Sequence, residues 1–253
     1  MQKLLLLVLT MIISLITSVS TLKGRTIDHF TEKKTVSLAH FENIDSDMIF
    51  NVEVVKSNEE KAVITSNYMQ FVEISVKNNT LYIGYKKGQS LRNADTKIVI
   101  FARDIKSVIA RTASVVKVKN TFGIQKFSAE SGGKIYGDSN AKNISISTES
   151  GGSFLGTVNT DNLMLNAQSG SSVDIQGKIG TATISAEEAS KIIAFKTNIS
   201  VATVRAESAS SVTLSVSKQL IATASSMAAI RYKTLSGIKF TAKRDTGGRI
   251  DML

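Results

Sequence analysis

The sequence contains no cysteine, no proline and no tryptophan, and it has two histidines. The lack of cysteine excludes disulfide bonds and lipidation of a cysteine. The lack of proline suits a chain whose strands are paired on both sides, because each proline would remove one ladder hydrogen bond. His29 and His40 lie eleven residues apart with no cysteine beside them. They therefore predict structural or exposed side chains rather than a zinc site.

Acidic residues are outnumbered, with 31 Lys and Arg against 21 Asp and Glu, which gives a net charge of +10. Nucleic acid is not the expected partner, because the lysines are spread over most turns and few aromatic side chains are present to stack on bases. Two interpretations of the charge remain. It is either a plain solvated surface, or it meets an anionic glycan or acidic envelope surface.

The first twenty residues resemble an export signal. A single charge, Lys3, precedes an apolar run over residues 4–16, and Ser18-Val19-Ser20 supplies small residues for cleavage. The run is short for a bilayer, so residues 1–20 predict a cleaved signal peptide, with an uncleaved anchor as the alternative. We expect a mature chain without a transmembrane span, exported to the periplasm or cell surface. Residues 21–40 predict a linker or an edge strand.

A short pattern recurs about eight times after residue 105, most clearly as FSAESGGKIYG (127–137) and ISTESGGSFLG (146–156). One small residue, here termed the anchor, precedes the turn in each copy, at intervals of 18 to 20 residues. The anchors are Ala110, Ala129, Thr148, Ala167, Ala186, Ala206, Ala224 and Ala242. A period near 20 is typical of stacked units that cannot bury their apolar face alone.

Apolar residues keep step with the anchors in columns. Two residues before lie Val108, Phe127, Ile146, Leu165, Ile184, Val204, Ala222 and Phe240; six residues after lie Val116, Ile135, Phe154, Val173, Ile192, Val212 and Ile230. A looser third column holds Ala141, Val158, Ile179, Ile199, Val216 and Leu235. Apolar and polar residues alternate around the anchors, which indicates strands. The pattern predicts an all-β fold, a right-handed parallel β-helix of about 19-residue coils. A β-sandwich is the alternative.

The β-helical domain is predicted to extend over residues 41–253. Residues 41–104 share the strand lengths without the SGG turn, so we expect irregular opening coils or a β cap, with a tight turn at Asn78-Asn79. The regular repeat occupies residues 105–253. With Ala242 as the last anchor, the final turn, residues 244–248, is expected to be two residues longer than the others and to carry charge.

The glycine pairs Gly132-Gly133 and Gly151-Gly152 predict tight corners with left-handed backbone geometry. A phosphate-binding loop is not favoured, since no helix follows them. In later copies Ala189, Ala209 and Met227 replace the first glycine. We expect those corners to relax to an ordinary backbone geometry.

An acidic ladder follows the anchors by one residue, with Glu130, Glu149, Glu187 and Glu207 interrupted by Gln168. In a 19-residue coil, Glu130 and Glu149 lie about 5 Å apart on neighbouring coils. Such stacking allows a Ca²⁺ site, or a carboxyl pair of the kind that retaining glycosidases use. The simpler interpretation is a row of solvated side chains that splay apart, with no metal, cofactor or catalytic group.

Residues 31–253 resemble a known family in the order of their features: FTEKKTVSLAHFENIDSDMIFNVEVVKSNEEKAVITSN, then VEISVKNNTLYIGYKKG, then the stacked SGG turns. This family is the "putative auto-transporter adhesin, head GIN domain" family. The resemblance implies a secreted β-helical envelope protein of unknown function, and it supplies no catalytic residues.

We therefore expect a secreted, non-catalytic β-helix that binds or scaffolds at the cell envelope. Two alternatives from other classes remain. The first is a polysaccharide-active enzyme of the pectinase type, although the short, even turns and the scattered Asp138, Asp161 and Asp174 do not favour it. The second is a structural matrix protein without a dedicated ligand.

Overall fold

The computed structural model describes residues 31–234 and 237–253, and it is almost entirely β-structure. Its one helical segment in these residues is a 3-10 turn, Met69–Phe71. The strands are β1 (Glu32–Ser37), β2 (Asn43–Ser46), β3 (Asn51–Lys56), β4 (Lys61–Ser66), β5 (Val72–Lys77), β6 (Thr80–Tyr85), β7 (Thr96–Ala102), β8 (Ser107–Ala110), β9 (Val115–Val118), β10 (Lys126–Glu130), β11 (Lys134–Tyr136), β12 (Ser139–Asn140), β13 (Asn143–Glu149), β14 (Ser153–Ala167), β15 (Ser172–Ala186), β16 (Lys191–Ala206), β17 (Ser211–Ala224), β18 (Ala229–Lys233), β19 (Lys239–Arg244) and β20 (Arg249–Met252). The predicted signal peptide, His29 and Leu235 lie outside the described residues.

Parallel pairing between successive coils confirms the predicted β-solenoid. Phe127 pairs with Val108 below it and with Ile146 above it. The same register continues through Ala206, which pairs with Ala186 and with Ala224. The repeat therefore rises one coil for every 18 to 20 residues, and residues of one column lie directly above one another.

The core of the repeat includes the two inward columns that the sequence predicts. Ile135, Phe154 and Val173 lie in one file, and each is at most 2% exposed. The rings of Phe127 and Phe154 connect the two columns, with centroids 4.7 Å apart. Because each coil covers its neighbours on both sides, apolar burial is shared along the whole stack rather than concentrated in one centre.

The third column is only partly as predicted. Ile179, Ile199 and Val216 stack as expected. Val158, however, pairs with Ser139, and Thr160 rather than Val158 stands opposite Ile179. Ser139 occupies the inward position because its hydroxyl donates to the carbonyl oxygen of Ile124, 2.7 Å away, so Ala141 is left only partly buried.

Each corner after the anchor is a turn whose two central residues have positive φ, as in a type I′ turn. The pairs are Thr112-Ala113, Ser131-Gly132, Ser150-Gly151, Ser169-Gly170, Glu188-Ala189, Ser208-Ala209, Ser226-Met227 and Thr246-Gly247. The expectation that corners without glycine relax is wrong, since Ala189 and Ala209 both keep φ at 59°. Hydrogen bonds between stacked corners, such as Ala189 N–H to Ser208 O at 2.9 Å, hold the left-handed geometry in place.

The second glycine of each pair has a different role from the first. A Cβ at Gly133 would lie 2.1 Å from the Ala110 carbonyl oxygen, although the φ of Gly133 is not positive. The next three coils after the two glycine pairs carry serine at this position, Ser171, Ser190 and Ser210. The hydroxyl of Ser190 donates to the Ala167 carbonyl oxygen at 2.9 Å, and Ser210 bonds Ala186 at 2.8 Å. These corners are thus closed either by backbone contact at glycine or by a serine hydrogen bond.

At the N-terminal end, spatial order differs from chain order. Strand β2 lies between β6 and β8, and β3 lies between β7 and β9, all in parallel. Strands β4 and β5 then pair antiparallel with β7 and β6, and β1 pairs antiparallel with β4. The β5–β6 hairpin turns at Asn78-Asn79, as the sequence predicts, with φ of 49° and 56°.

The last coil corrects the predicted register. Ala224 pairs with Arg244, and Ala242 pairs with Ala222, so Ala242 is not the anchor. The corner sets the register, because Met227 N–H donates to Thr246 O and so aligns Thr246-Gly247 with Ser226-Met227. The final turn is therefore no longer than the others. Phe240, placed in the core column by the sequence, is 41% exposed.

Candidate functional site: a polar groove on the third side of the coils

An open depression of about 890 Å³ lies on the outer surface of four successive coils, on the side whose inward positions form the third column. We refer to this side as the third side. Two outward columns form the depression, and we call it the third-side groove. One column is Asn140, Asn159, Lys178 and Asn198; the other is Lys142, Asp161, Gly180 and Ser200. The pairing of Asn140 with Asn159 and of Lys178 with Asn198 places like positions above one another.

The groove is concave because its second column lacks large side chains in two of the four coils. Gly180 lies so close to the coil below that a Cβ would be 2.6 Å from the Asp161 carbonyl oxygen. Gly177, with φ of 124°, approaches the Val158 carbonyl in the same way, at 2.3 Å. Glycine is required at Gly177 on both counts. Both glycines thus bring the backbone of β15 close to that of the coil below.

Several polar groups hold the groove together. Asn159 accepts a hydrogen bond at Oδ1 from the Lys178 backbone N–H, 3.0 Å away on the next coil. The hydroxyl of Thr160, buried beneath the surface, lies 3.0 Å from the carbonyl oxygens of Lys142 and Asn162. These contacts fix the position of the backbone that carries the exposed side chains of the groove.

Other side chains in the groove have no partner within the described residues. The ammonium groups of Lys142 and Lys178 form no ion pair there, and the amides of Asn140 and Asn198 form no side-chain hydrogen bond. All four residues are exposed. With Asp161 as the one carboxylate in the lining, the groove offers two cations, one anion and several amide donors and acceptors.

Both ends of the groove coincide with a break in the regular coil. Below Asn140, the segment around Phe122 is not a strand and makes only an isolated bridge to Ser139. Above Asn198, the pairing of β16 with β17 shifts register between Ile199 and Val201. The groove therefore extends over four coils.

The acidic ladder lies where the sequence places it, but its members have different partners. Glu130 pairs directly with Glu149 in register. Its carboxylate also accepts hydrogen bonds from Arg111 at 3.2 Å and from Ser128 at 2.8 Å. Glu207 is held by Arg205 at 2.6 Å, and Glu187 accepts from Ser185.

Arg111 links this ladder to the N-terminal cap, because it also forms an ion pair with Asp45 of β2. Partial burial opposes the charge of the guanidinium, but the hydrogen bonds and ion pairs with Asp45 and Glu130 raise the pKa of Arg111 overall. Among the residues that the structure describes, no group of three or more His, Asp or Glu side chains could hold a metal ion. A row of solvated side chains without a metal stays the prediction for Glu130, Glu149, Glu187 and Glu207, with Ca²⁺ binding as the alternative.

The remaining sequence candidates lie apart from the groove or from one another. His40 is exposed and pairs with Glu60 at 2.8 Å. Asp138 accepts the backbone N–H of Thr157 at 2.7 Å, which is a structural role. Of the three scattered aspartates, Asp161 alone lies in the groove. Sequence reasoning missed the groove, although Asn140, Asn159, Lys178 and Asn198 recur at the coil spacing.

A family model described as "putative auto-transporter adhesin, head GIN domain" matches residues 40–234. The chain belongs to this family. Comparison with curated proteins gives no match. Within the part of the chain that the structure describes, no helix has the length and apolar character needed to cross a membrane.

Solved structures share the fold of this family member at low sequence identity. A putative adhesin from Parabacteroides merdae is 16% identical, with a TM-score of 0.79 over 88% of this chain and 96% of that one. A protein from Parabacteroides distasonis described as a putative lipid binding protein is 15% identical, with a TM-score of 0.77 and the same coverage of both chains. A putative adhesin from the same species is 16% identical, with a TM-score of 0.71 over 89% of this chain and 98% of that one.

Proposed function

We propose that this family member is an exported, non-catalytic binding module of the cell envelope that holds an anionic glycan in the third-side groove. The observation that carries the proposal is a pair of exposed lysines, Lys142 and Lys178, which form no ion pair with any described residue and lie among amide side chains in one four-coil depression. Ammonium groups attract carboxylates, and amides match sugar hydroxyls as both donors and acceptors.

Export is supported by the predicted signal peptide at residues 1–20 and by membership of an adhesin family. The net charge of +10 favours an acidic partner over a neutral one, since the field of the whole chain adds to that of the groove. Because exposed charges are screened by salt, binding should weaken as ionic strength rises.

The pectinase-type alternative has less support. Glycoside hydrolysis uses two carboxyl groups that flank the scissile bond, whereas the described lining of the groove contains one, Asp161. Product assays on acidic polysaccharides test this alternative, and release of shortened chains would establish it.

Two measurements test the proposal. Fractionation of cells should place the processed chain in the envelope or outside the cell, and a cytoplasmic, unprocessed chain would contradict export. On a glycan array, the wild type should retain acidic glycans, and Lys142→Ala/Lys178→Ala should lose them. Lys86→Ala/Lys87→Ala is the matched control, since it removes the same charge from the exposed loop between β6 and β7. Equal loss in both double variants would mean that net charge alone is responsible.

A further inference from the structure

The charges in the third-side groove alternate from coil to coil. The first coil carries Lys142, and the second carries Asp161 in the same column. The third coil carries Lys178 in the neighbouring column, and the fourth contributes only neutral groups to the groove, Asn198 and Ser200. Cationic coils therefore alternate with coils that are anionic or neutral.

The coil rise sets a length scale for a ligand. Neighbouring parallel strands lie about 4.8 Å apart, which is close to the length of one sugar residue in an extended polysaccharide. A linear glycan that lies along the solenoid axis would present one sugar to each coil, and the four-coil groove would hold four sugars.

We infer that the groove selects a linear glycan in which an acidic sugar, bearing a carboxylate, alternates with a neutral sugar. This inference rests on the proposed function. The two carboxylates of a tetrasaccharide face Lys142 and Lys178, which stand two coils apart. The intervening neutral sugar faces Asp161 and Asn159, where a carboxylate would be repelled but hydroxyl groups can donate to the Asp161 carboxylate.

The low charge of the site favours this ligand over densely charged ones. Two lysines and one aspartate leave a net charge of one positive in the groove. A polyphosphate or a homopolymer of uronic acids would place several negative charges there, one of them beside Asp161. The alternating glycan places its negative charges only opposite Lys142 and Lys178.

The test compares three tetrasaccharide probes by calorimetry at low salt. They are a hyaluronan fragment, in which the uronate alternates with a neutral sugar, tetragalacturonate, in which every sugar is acidic, and chitotetraose, which is neutral. We expect affinity in the order hyaluronan fragment, tetragalacturonate, chitotetraose. Lys142→Ala and Lys178→Ala should each lower the affinity for the hyaluronan fragment about fivefold, as expected for loss of a partly exposed ion pair.

The decisive variant is Asp161→Asn, which removes the charge and keeps the size. It should raise the affinity for tetragalacturonate about fivefold and change the affinity for the hyaluronan fragment by less than twofold. Asp138→Asn, at an exposed aspartate outside the groove, is the control for net charge. Thermal unfolding of each variant verifies that it is folded.

The outcomes separate the two proposals. If neither acidic probe binds, the proposed function itself fails. Suppose instead that both acidic probes bind with equal affinity, and that Asp161→Asn changes the two affinities alike or changes them no more than Asp138→Asn does. Glycan binding then stands, and the inference of an alternating glycan is wrong. A hyaluronan hexasaccharide that binds no more tightly than the tetrasaccharide confirms the four-sugar length, and a steady gain with length contradicts it.

Discussion

Gly152 and the carbonyl oxygen of Ala129 approach so closely that a Cβ at Gly152 would lie 2.0 Å from that oxygen. Gly151, its neighbour, has φ of 73° and open space around it. The two glycines therefore exist for different reasons, one for contact between coils and the other for backbone conformation.

Replacement of these glycines by alanine should have unequal effects. Gly152→Ala must push two coils apart and should lower the free energy of unfolding by about 2–3 kcal/mol. Gly151→Ala places alanine where Ala189 and Ala209 already stand, and should cost about 1 kcal/mol. Urea unfolding of both variants measures the difference. A larger loss for Gly151→Ala would show that the corner geometry is misassigned.

Tyr85 should make stability fall at alkaline pH. Its ring stacks on Phe50 at 4.3 Å, and its hydroxyl donates to Thr96 at 2.7 Å. Burial raises the pKa of Tyr85, so the folded chain retains the proton at a pH where the unfolded chain has lost it. The contribution of protonated Tyr85 to the free energy of unfolding is fully present below the tyrosine pKa of the unfolded chain, about 10. It is lost as pH rises through the higher pKa of Tyr85 in the folded chain.

Tyr85→Phe should therefore be about 1 kcal/mol less stable than the wild type at neutral pH, because the hydrogen bond to Thr96 is lost. Above about pH 10 its stability should fall less steeply than that of the wild type. Tyr136→Phe, at an exposed tyrosine, is the control and should follow the wild type. Parallel pH slopes for all three chains would refute the buried titration.

The open edge at the C-terminal end should depend on its charges to stay unpaired. Within the described residues, β19 pairs only with β17, and it carries Lys239, Lys243 and Arg244. Charged side chains on an edge strand discourage pairing with another chain. Lys239→Thr/Lys243→Thr should associate as concentration rises in analytical ultracentrifugation. Lys86→Thr/Lys87→Thr should remain like the wild type, and identical behaviour of both pairs would count against edge protection.

Val173 should be intolerant of charge. It is 1% exposed between Phe154 and Ile192, so Val173→Asp places an unpaired carboxylate in a dry column. We expect a loss of about 4 kcal/mol or more in the free energy of unfolding, or failure to fold. Asp174→Ala, one residue along on the exposed side, should stay within about 0.5 kcal/mol. A stable Val173→Asp would contradict the inward register.

The regular coils were predictable because one period controls both burial and pairing. Once Ile135, Phe154 and Val173 recur at 19 residues, strand alternation determines which neighbours face inward. The prediction failed at Ala242, because the sequence signal followed a small residue whereas the register follows the stacked corner at Thr246-Gly247. The order of the cap strands, with β2 between β6 and β8, could not be predicted from the sequence either, because this pairing joins segments that are distant in the chain.

The groove could not be predicted in the same way. Outward side chains are not selected by packing, so Asn140, Asn159 and Asn198 carry no strong pattern beyond their spacing. At Gly177 and Gly180 the backbone approaches the preceding coil too closely for any side chain. A search for polar residues at the coil period, near isolated glycines, would have indicated the site.

The most direct test of the binding account is a map of backbone amide shifts, recorded by NMR as the hyaluronan tetrasaccharide is added. If the glycan binds in the third-side groove, the largest changes should fall in residues 140–142, 159–161, 178–180 and 198–200, and they should disappear in Lys142→Ala/Lys178→Ala. Changes centred on the cap strands or on the acidic ladder at Glu130 and Glu149 would place the glycan elsewhere and contradict it.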